Sequence, residues 1–135
     1  MEDSIFTKII RGDIPSYKIY EDNKTFAMLD INPLSDGHVL VIPKLQIDKI
    51  YDLPDEDYAA LMKTVKKLSS LMEERLGTRI GLAVEGLQIP HAHIHLVPLY
   101  DNDVLILHHG YPVHTSEKDF AVMAEKLRLP DDLAK

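Results

Sequence analysis

Between Pro90 and Pro98 the chain reads Pro-His-Ala-His-Ile-His-Leu-Val-Pro, and this alternation leaves little choice of backbone. In a strand, side chains two apart share a face, so His91, His93 and His95 form a row while Ala92, Ile94 and Leu96 point into a core. A helix would spread the same three rings over about 200°, at about 100° per residue. The stretch is therefore read as a strand. A buried imidazole needs partners for both ring nitrogens, so a row of three is a costly way to fill a core. Such rings titrate near neutral pH and can serve as nucleophile, acid, base or metal ligand.

The remaining segments place this strand in an α+β fold. Ser4 caps a short helix carrying Phe6 and Ile9, with Gly12 near its end and Ile14-Pro15 stopping it. Tyr17–Glu21 and Thr25–Leu29 alternate as strands around the turn formers Asp22-Asn23-Lys24, a hairpin. A turn-rich stretch from Asp30 to Gly37 leads through His38 into Val39–Pro43, an apolar run suited to a strand covered on both faces. From about Pro54 to Leu76 the period becomes helical, with Tyr58, Leu61, Met62, Val65, Leu68, Met72 and Leu76 on one face and Gly77 at the end. Ile80–Glu85 is a further strand, joined by a short link to the histidine strand and hence antiparallel to it. Tyr100–Val113 has no clear period and reads as a surface loop. Ser116 and Asp119 resemble a capping box for a last helix bearing Phe120, Met123, Ala124 and Leu127, with a loose tail from Pro130. The expectation is one domain over residues 1–135: about five mainly antiparallel strands, one long helix and short terminal helices. Apolar positions on the long helix and the sheet also suit a homodimer interface.

Composition narrows the function classes. A formal net charge of −7 argues against broad binding to nucleic-acid backbones or anionic membranes, though not against a small anion in a local pocket. With no cysteine there is no thiolate nucleophile or thiolate metal site. No basic stretch followed by an apolar run opens the chain and no long apolar segment occurs, so a cytoplasmic location is expected.

His108, His109 and His114 are read as packed or surface side chains. For the triad, metal binding and nucleophilic catalysis compete. The Cα atoms of positions 91 and 95 would lie about 13 Å apart at about 3.3 Å per residue, too far for three rings to meet one ion. An ion would need His38 or a carboxylate as a further ligand, and no metal or cofactor is expected. Attack at phosphorus needs one ring as nucleophile and neighbours that donate to phosphoryl oxygens. His93, flanked on both sides, is best placed to react.

The motif His91-Ala92-His93-Ile94-His95-Leu96-Val97 resembles the histidine triad signature, His-φ-His-φ-His-φ-φ with φ apolar, at every position. The resemblance continues in Ile5–Pro15, Asp30-Ile31-Asn32-Pro33 and Gly37–Lys44, in the order and spacing of the Hint-like branch, the histidine triad nucleotide-binding proteins. It implies a homodimer binding a purine nucleotide on each subunit. By this resemblance His93 attacks the α-phosphorus of a nucleoside 5′-phosphoramidate or related phosphoanhydride, and water releases the nucleoside monophosphate from a nucleotidyl-histidine. The His91 carbonyl would orient His93, His95 would contact phosphate or leaving group, and His38 would complete the histidine cluster. Asp30 would accept the ribose hydroxyls. Phe6, Ile9, Met28 and Ile31 would wall the base pocket, with plain core packing the competing reading for Ile9 and Met28.

The chain departs from the family pattern just before the triad. Ala83-Val84-Glu85-Gly86-Leu87-Gln88-Ile89-Pro90 is shorter than the usual link and lacks its asparagine, and Leu87 stands near the usual glutamine. Gln88 is the candidate phosphate-proximal residue, although a shift of one position turns an extended side chain to the other face. Two alternatives to the phosphoramidate hydrolase follow: a dinucleoside polyphosphate hydrolase, and a nucleotide-binding module with weak catalysis.

Overall fold

The computed structural model describes residues 2–100 and 116–133. The expected loop over Tyr100–Val113, apart from Tyr100, and His108, His109 and His114 lie outside the described residues. A short helix α1 (Ile5–Ile10) precedes the hairpin β1 (Lys18–Glu21) and β2 (Thr25–Leu29), then β3 (Val39–Pro43). A 3₁₀ turn at Ile50–Asp52 leads into the long helix α2 (Asp55–Leu76), followed by β4 (Ile80–Ala83), β5 (Ile94–Pro98) and α3 (Glu117–Leu127). The five strands form one sheet in the order β1-β2-β3-β5-β4, every pair antiparallel.

Strand alternation splits the core in two. Ala27, Leu29, Val39, Val41, Ile94 and Leu96 face α2 and α3, meeting Leu61, Val65, Leu68, Met72 and Leu127. Phe26, Met28, Leu40 and Ile42 face the other way, under Phe6 of α1, with Ile9, Ile10 and Ile89 at the margin. All residues of β2 and β3 are buried, as an apolar run covered on both faces requires. Each side chain of the size of Leu or Phe removed from water contributes about 1.5–3 kcal/mol, so both faces stabilise the sheet.

Local chemistry explains the turns that carry the site. Asp22 Oδ1 accepts from the amides of Lys24 (2.9 Å) and Thr25 (2.7 Å), closing the β1–β2 hairpin. Gly37 sits at φ +90, and a Cβ there would meet Leu76 Cδ1 at 3.0 Å, so the close passage of this loop over α2 and the left-handed backbone both demand glycine. His38 follows at once, its carbonyl accepting from the Asp30 amide at 2.9 Å, which closes the 30–38 loop at its base.

Four expectations are corrected. The histidine strand pairs only from Ile94, so His91 and His93 sit in the segment entering β5. Strand β4 stops at Ala83, leaving Val84 and Glu85 outside the sheet. Tyr58 is exposed and lies off the buried stripe of α2. Residues after Pro130 are not loose as far as Asp132, whose amide donates to the Glu21 carbonyl at 2.9 Å and lays the chain along β1.

Candidate active site

The segment entering β5 places the three triad rings in different surroundings. His91 is fully buried. Its Nε2 lies 2.7 Å from the Pro43 carbonyl, which only accepts, so Nε2 carries the proton. Nδ1 is then a lone pair, and the Ser4 hydroxyl 2.6 Å away donates to it. Both nitrogens are spent inside the protein. Burial also pushes the His91 ring towards the neutral form, the Pro43 contact opposing and nearby His93 assisting. The His91 ring lies beside Phe6 of α1, centroids 5.7 Å apart, as the His93 ring does. It is a strut between α1 and the end of β3, with no nitrogen left for a ligand.

The backbone of His91 does reach the next ring. Its carbonyl oxygen accepts from His93 Nδ1 at 2.9 Å. The N–H of the same peptide, on Ala92, donates to the Ile47 carbonyl at 2.7 Å, so this peptide plane is held from both sides. With its proton on Nδ1, His93 keeps a lone pair on Nε2. Phe6 stands edge-on to this ring, centroids 5.0 Å apart, and His95 lies on the other side at 5.1 Å.

His95 belongs to β5, paired with Leu40 and Ala83 on its two flanks. Its protonation is set two residues away. The Leu34 amide donates to His38 Nδ1 at 3.0 Å, so the His38 proton sits on Nε2. That nitrogen is 2.9 Å from His95 Nδ1 and donates to it, leaving the His95 proton on Nε2, a donor with no acceptor among the described residues. Both rings are neutral at pH 7: burial first, then neighbouring histidines, lower His38 to about 3, and burial with His93 lowers His95 to about 4. The site therefore offers one nitrogen lone pair on His93 and one N–H donor on His95, side by side.

Asp30, at the end of β2, completes the cluster. Its Oδ1 accepts from the Asn32 amide at 2.9 Å, and its Oδ2 is 3.6 Å from His38 Nε2. Since His38 is neutral, this contact is not an ion pair at pH 7. Burial raises the Asp30 carboxyl above its ordinary range, partly offset by the Asn32 amide and by His93. Phe6 and Met28 are buried to within a few per cent and form a floor, whereas Ile31 is 66% exposed and Ile9 is half-buried. Glu85 and Gln88 are exposed in the link before the triad, and Leu87 is 94% exposed.

Among the described residues, the Nε2, Nδ1 and carboxylate atoms of His38, His95 and Asp30 cluster within 4.8 Å, a spacing that admits an ion. The proton pattern does not fit one. The Leu34 N–H keeps His38 protonated on Nε2, the very atom an ion would need as a lone pair. Asp30 and His38 also border a cavity of about 360 Å³ under α3, where Asp30, Asp36 and Asp119 outweigh the single cation Lys126, a balance that disfavours phosphate.

His38, His91, His93, His95 and Asp30, all expected from the sequence, are brought together by the fold. Gln46 and Thr7 join them with no signal in the sequence, and Ser4, expected only as a helix cap, also reaches His91. Gln46 Oε1 accepts from the Ser4 amide at 2.8 Å and from the Thr7 hydroxyl at 2.6 Å. These contacts span about forty residues of sequence, where periodicity carries no signal.

The HIT domain family model matches residues 11–102. An adenosine 5′-monophosphoramidase of Candida albicans is 35% identical, over 97% of this chain and 91% of its own length. Among solved structures, a Hit-like protein involved in cell-cycle regulation from Bartonella henselae is similar with a TM-score of 0.82 at 27% identity, covering 93% of this chain and 94% of that one. A zinc-bound histidine triad family protein from Mycobacterium smegmatis gives 0.76 at 28% identity, over 91% of both chains. The triad, its surrounding geometry and these likenesses agree: the chain belongs to the histidine triad family.

Proposed function

We propose that this protein, as a single domain, hydrolyses purine nucleoside 5′-phosphoramidates or related phosphoanhydrides at the α-phosphorus. The observation that carries the reading is the His93–His91 contact, which fixes the His93 proton on Nδ1 and presents Nε2 as a lone pair. In the proposed reaction Nε2 attacks phosphorus, the P–N bond breaks, and the amine leaves with a proton taken from solvent. Water then attacks the nucleotidyl-histidine, frees the nucleoside monophosphate and restores His93. His91 acts through its carbonyl, which faces the positive ring of the intermediate, and the His95 Nε2–H donates to a phosphoryl oxygen or the leaving nitrogen. Asp30 accepts the ribose hydroxyls. The base rests against Ile31 and Ile9 over the floor of Phe6 and Met28. The activity named for the Candida albicans relative supports the substrate class.

The same reading includes a homodimer. Tyr51, Tyr58, Leu82 and Val84 are exposed apolar residues that line one groove with Met62, beside the outermost strand β4. The opposite edge, β1, is covered by the segment through Asp132, whereas no described segment pairs with the outer edge of β4. An uncovered edge beside an apolar groove suits pairing with a second copy.

A second reading, a nucleotide-binding module with weak catalysis, is favoured by the link at 84–90, where Glu85 and Leu87 stand exposed before the triad. Incubation with adenosine 5′-phosphoramidate separates the two. The hydrolase reading expects AMP release, an adenylyl adduct on His93 detectable by mass spectrometry after acid-free quenching, and loss of both in His93→Ala. AMP binding by calorimetry without adduct or turnover would instead establish the binding module.

A further inference from the structure

We propose that Ser4 is a positioning residue for the nucleophile, acting through the buried His91 ring; the inference rests on the reading of His93 given above. The Ser4 side chain does two things at once. It accepts from the Thr7 amide at 3.0 Å, capping α1, and it donates to His91 Nδ1 at 2.6 Å. Pro43 takes the Nε2 proton at 2.7 Å, which leaves Nδ1 bare and makes the Ser4 hydroxyl its donor. A ring clamped between a hydroxyl and a carbonyl cannot rotate without breaking both bonds.

The clamp matters because of what lies on the same residue. The His91 carbonyl is the acceptor that holds the proton on His93 Nδ1. With both ring nitrogens tied, the His91 Cα is pinned next to that carbonyl; once the ring is released, the peptide relies on the Ala92–Ile47 bond alone and the His93 lone pair loses part of its fixed direction. The segment from Pro43 to Ile47 supports the arrangement at three points: Pro43 through its carbonyl to the ring, Ile47 through its carbonyl to the Ala92 amide, and Gln46 through its side chain. Gln46 Oε1 gathers the Ser4 amide and the Thr7 hydroxyl, and its Nε2 donates to the Glu2 carbonyl at 2.8 Å. The start of α1, the end of β3 and the segment entering β5 thus meet at the His91 ring. Misplacement of a reacting group by about 1 Å can cost roughly 10²-fold in rate, so a clamp of this kind is expected to show in the chemical step.

The test separates the donor from the cap. Ser4→Ala removes both the hydroxyl donor and the cap, whereas Ser4→Gly removes the donor at a position where glycine is tolerated far better than alanine. Ser4→Thr keeps the hydroxyl. Single-turnover adenylylation of His93 by adenosine 5′-phosphoramidate is expected to fall about tenfold or more, by a similar factor, in Ser4→Ala and Ser4→Gly, and to recover in Ser4→Thr. AMP affinity by calorimetry should stay within about threefold. Ring ¹⁵N chemical shifts should report mixed His93 tautomers in both donor-less variants and a single Nδ1–H form in the parent. A Ser4→Gly variant at the parental rate, or a rate loss matched by an equal loss of AMP affinity with unchanged His93 ring shifts, overturns the proposal and leaves Ser4 a helix cap. If the parent protein forms no adduct, the reading of His93 as nucleophile fails by itself. The ring shifts still decide the clamp: mixed tautomers in Ser4→Gly support it, and a single form overturns it.

Discussion

His38 donates from Nε2 to Nδ1 of His95 across 2.9 Å, and the direction of that bond is dictated by a backbone amide, that of Leu34, on the far side of His38. The proton exposed towards the reacting atoms on His95 is therefore set from the 30–38 loop. His38→Asn keeps an acceptor near the Leu34 amide but removes the donor to His95, while His38→Gln retains an N–H at the distance of Nε2. Adenylylation should drop roughly 10- to 10²-fold in His38→Asn and less in His38→Gln, since losing one donor that serves a transition state costs up to about 10²–10³. Equal rates in both variants would mean that His38 fills space and does not set the His95 proton. Stopped-time quench measurements on the two variants decide it.

Acid should loosen this fold before it reaches the surface carboxylates. His38 titrates at about 3 in the folded chain against an ordinary 6.5. The unfolded state therefore takes up a proton first as pH falls below 6.5. The stability held by the neutral ring is complete above that value and is lost progressively down to about 3. At about pH 5 the loss from His38 is roughly 2 kcal/mol, and His95, lowered to about 4, adds a loss of the same order before discounting for its partial exposure. The urea midpoint should fall between about pH 7 and pH 5, and the fall should shrink in His38→Gln. A parental midpoint that does not move over this range contradicts a buried neutral His38.

How far the sequence disclosed this arrangement depends on the range of the interaction. The β2 and β3 strands, the stripe of α2 and the antiparallel neighbour of the histidine strand all come from short periods that any window displays. Strict alternation implies an extended backbone and one face for the histidine row. The ladder begins only at Ile94 and His91 sits in a bend, so of the three only His95 is locked in the sheet, and the His91 ring bonds Ser4 and Pro43. A hydroxyl 87 positions away decides that, and neither propensity nor spacing records it. The same holds for Leu34, whose part is played by its amide and leaves no mark on residue type. Asp30 and His38 were legible only through resemblance, since a lone aspartate and a lone histidine in a turn carry no pattern of their own.

The edge strand β4 offers a direct test of assembly. Leu82 is 49% exposed in the middle of β4 and Tyr51 is 77% exposed across the same groove. Leu82→Glu adds a charge where a second copy is proposed to pack, and should convert the species seen by light scattering after size exclusion from dimer to monomer at micromolar concentration. Because Leu82 already meets water, the monomer itself should unfold within about 0.5 kcal/mol of the parent monomer, the usual range for surface substitutions. A parental protein that elutes as a monomer, or a variant that remains dimeric, rules this groove out as the interface.

The proposed ribose-binding role of Asp30 predicts how substrate and pH act together. Its Oδ1 is engaged by the Asn32 amide at 2.9 Å, while Oδ2, 3.6 Å from His38 Nε2, has no closer polar partner among the described residues. Burial raises the carboxyl above its ordinary range, so its charge is harder to keep than that of a surface aspartate. A ribose hydroxyl donating to Oδ2 would meet a poorly solvated anion, the setting in which a charged hydrogen bond contributes about 1.5–3 kcal/mol. Asp30→Asn should therefore weaken binding of AMP by roughly 10- to 10²-fold, and should weaken binding of 2′,3′-dideoxy-AMP far less, because that ligand brings no hydroxyl to lose. In the parent, AMP affinity should fall with acidification from a higher pH than a surface carboxylate would set, and dideoxy-AMP affinity should not follow it. Calorimetric titration of both ligands into both proteins closes the cycle. An equal loss for the two ligands would assign Asp30 to shaping the 30–38 loop through Asn32, with no part in holding the sugar.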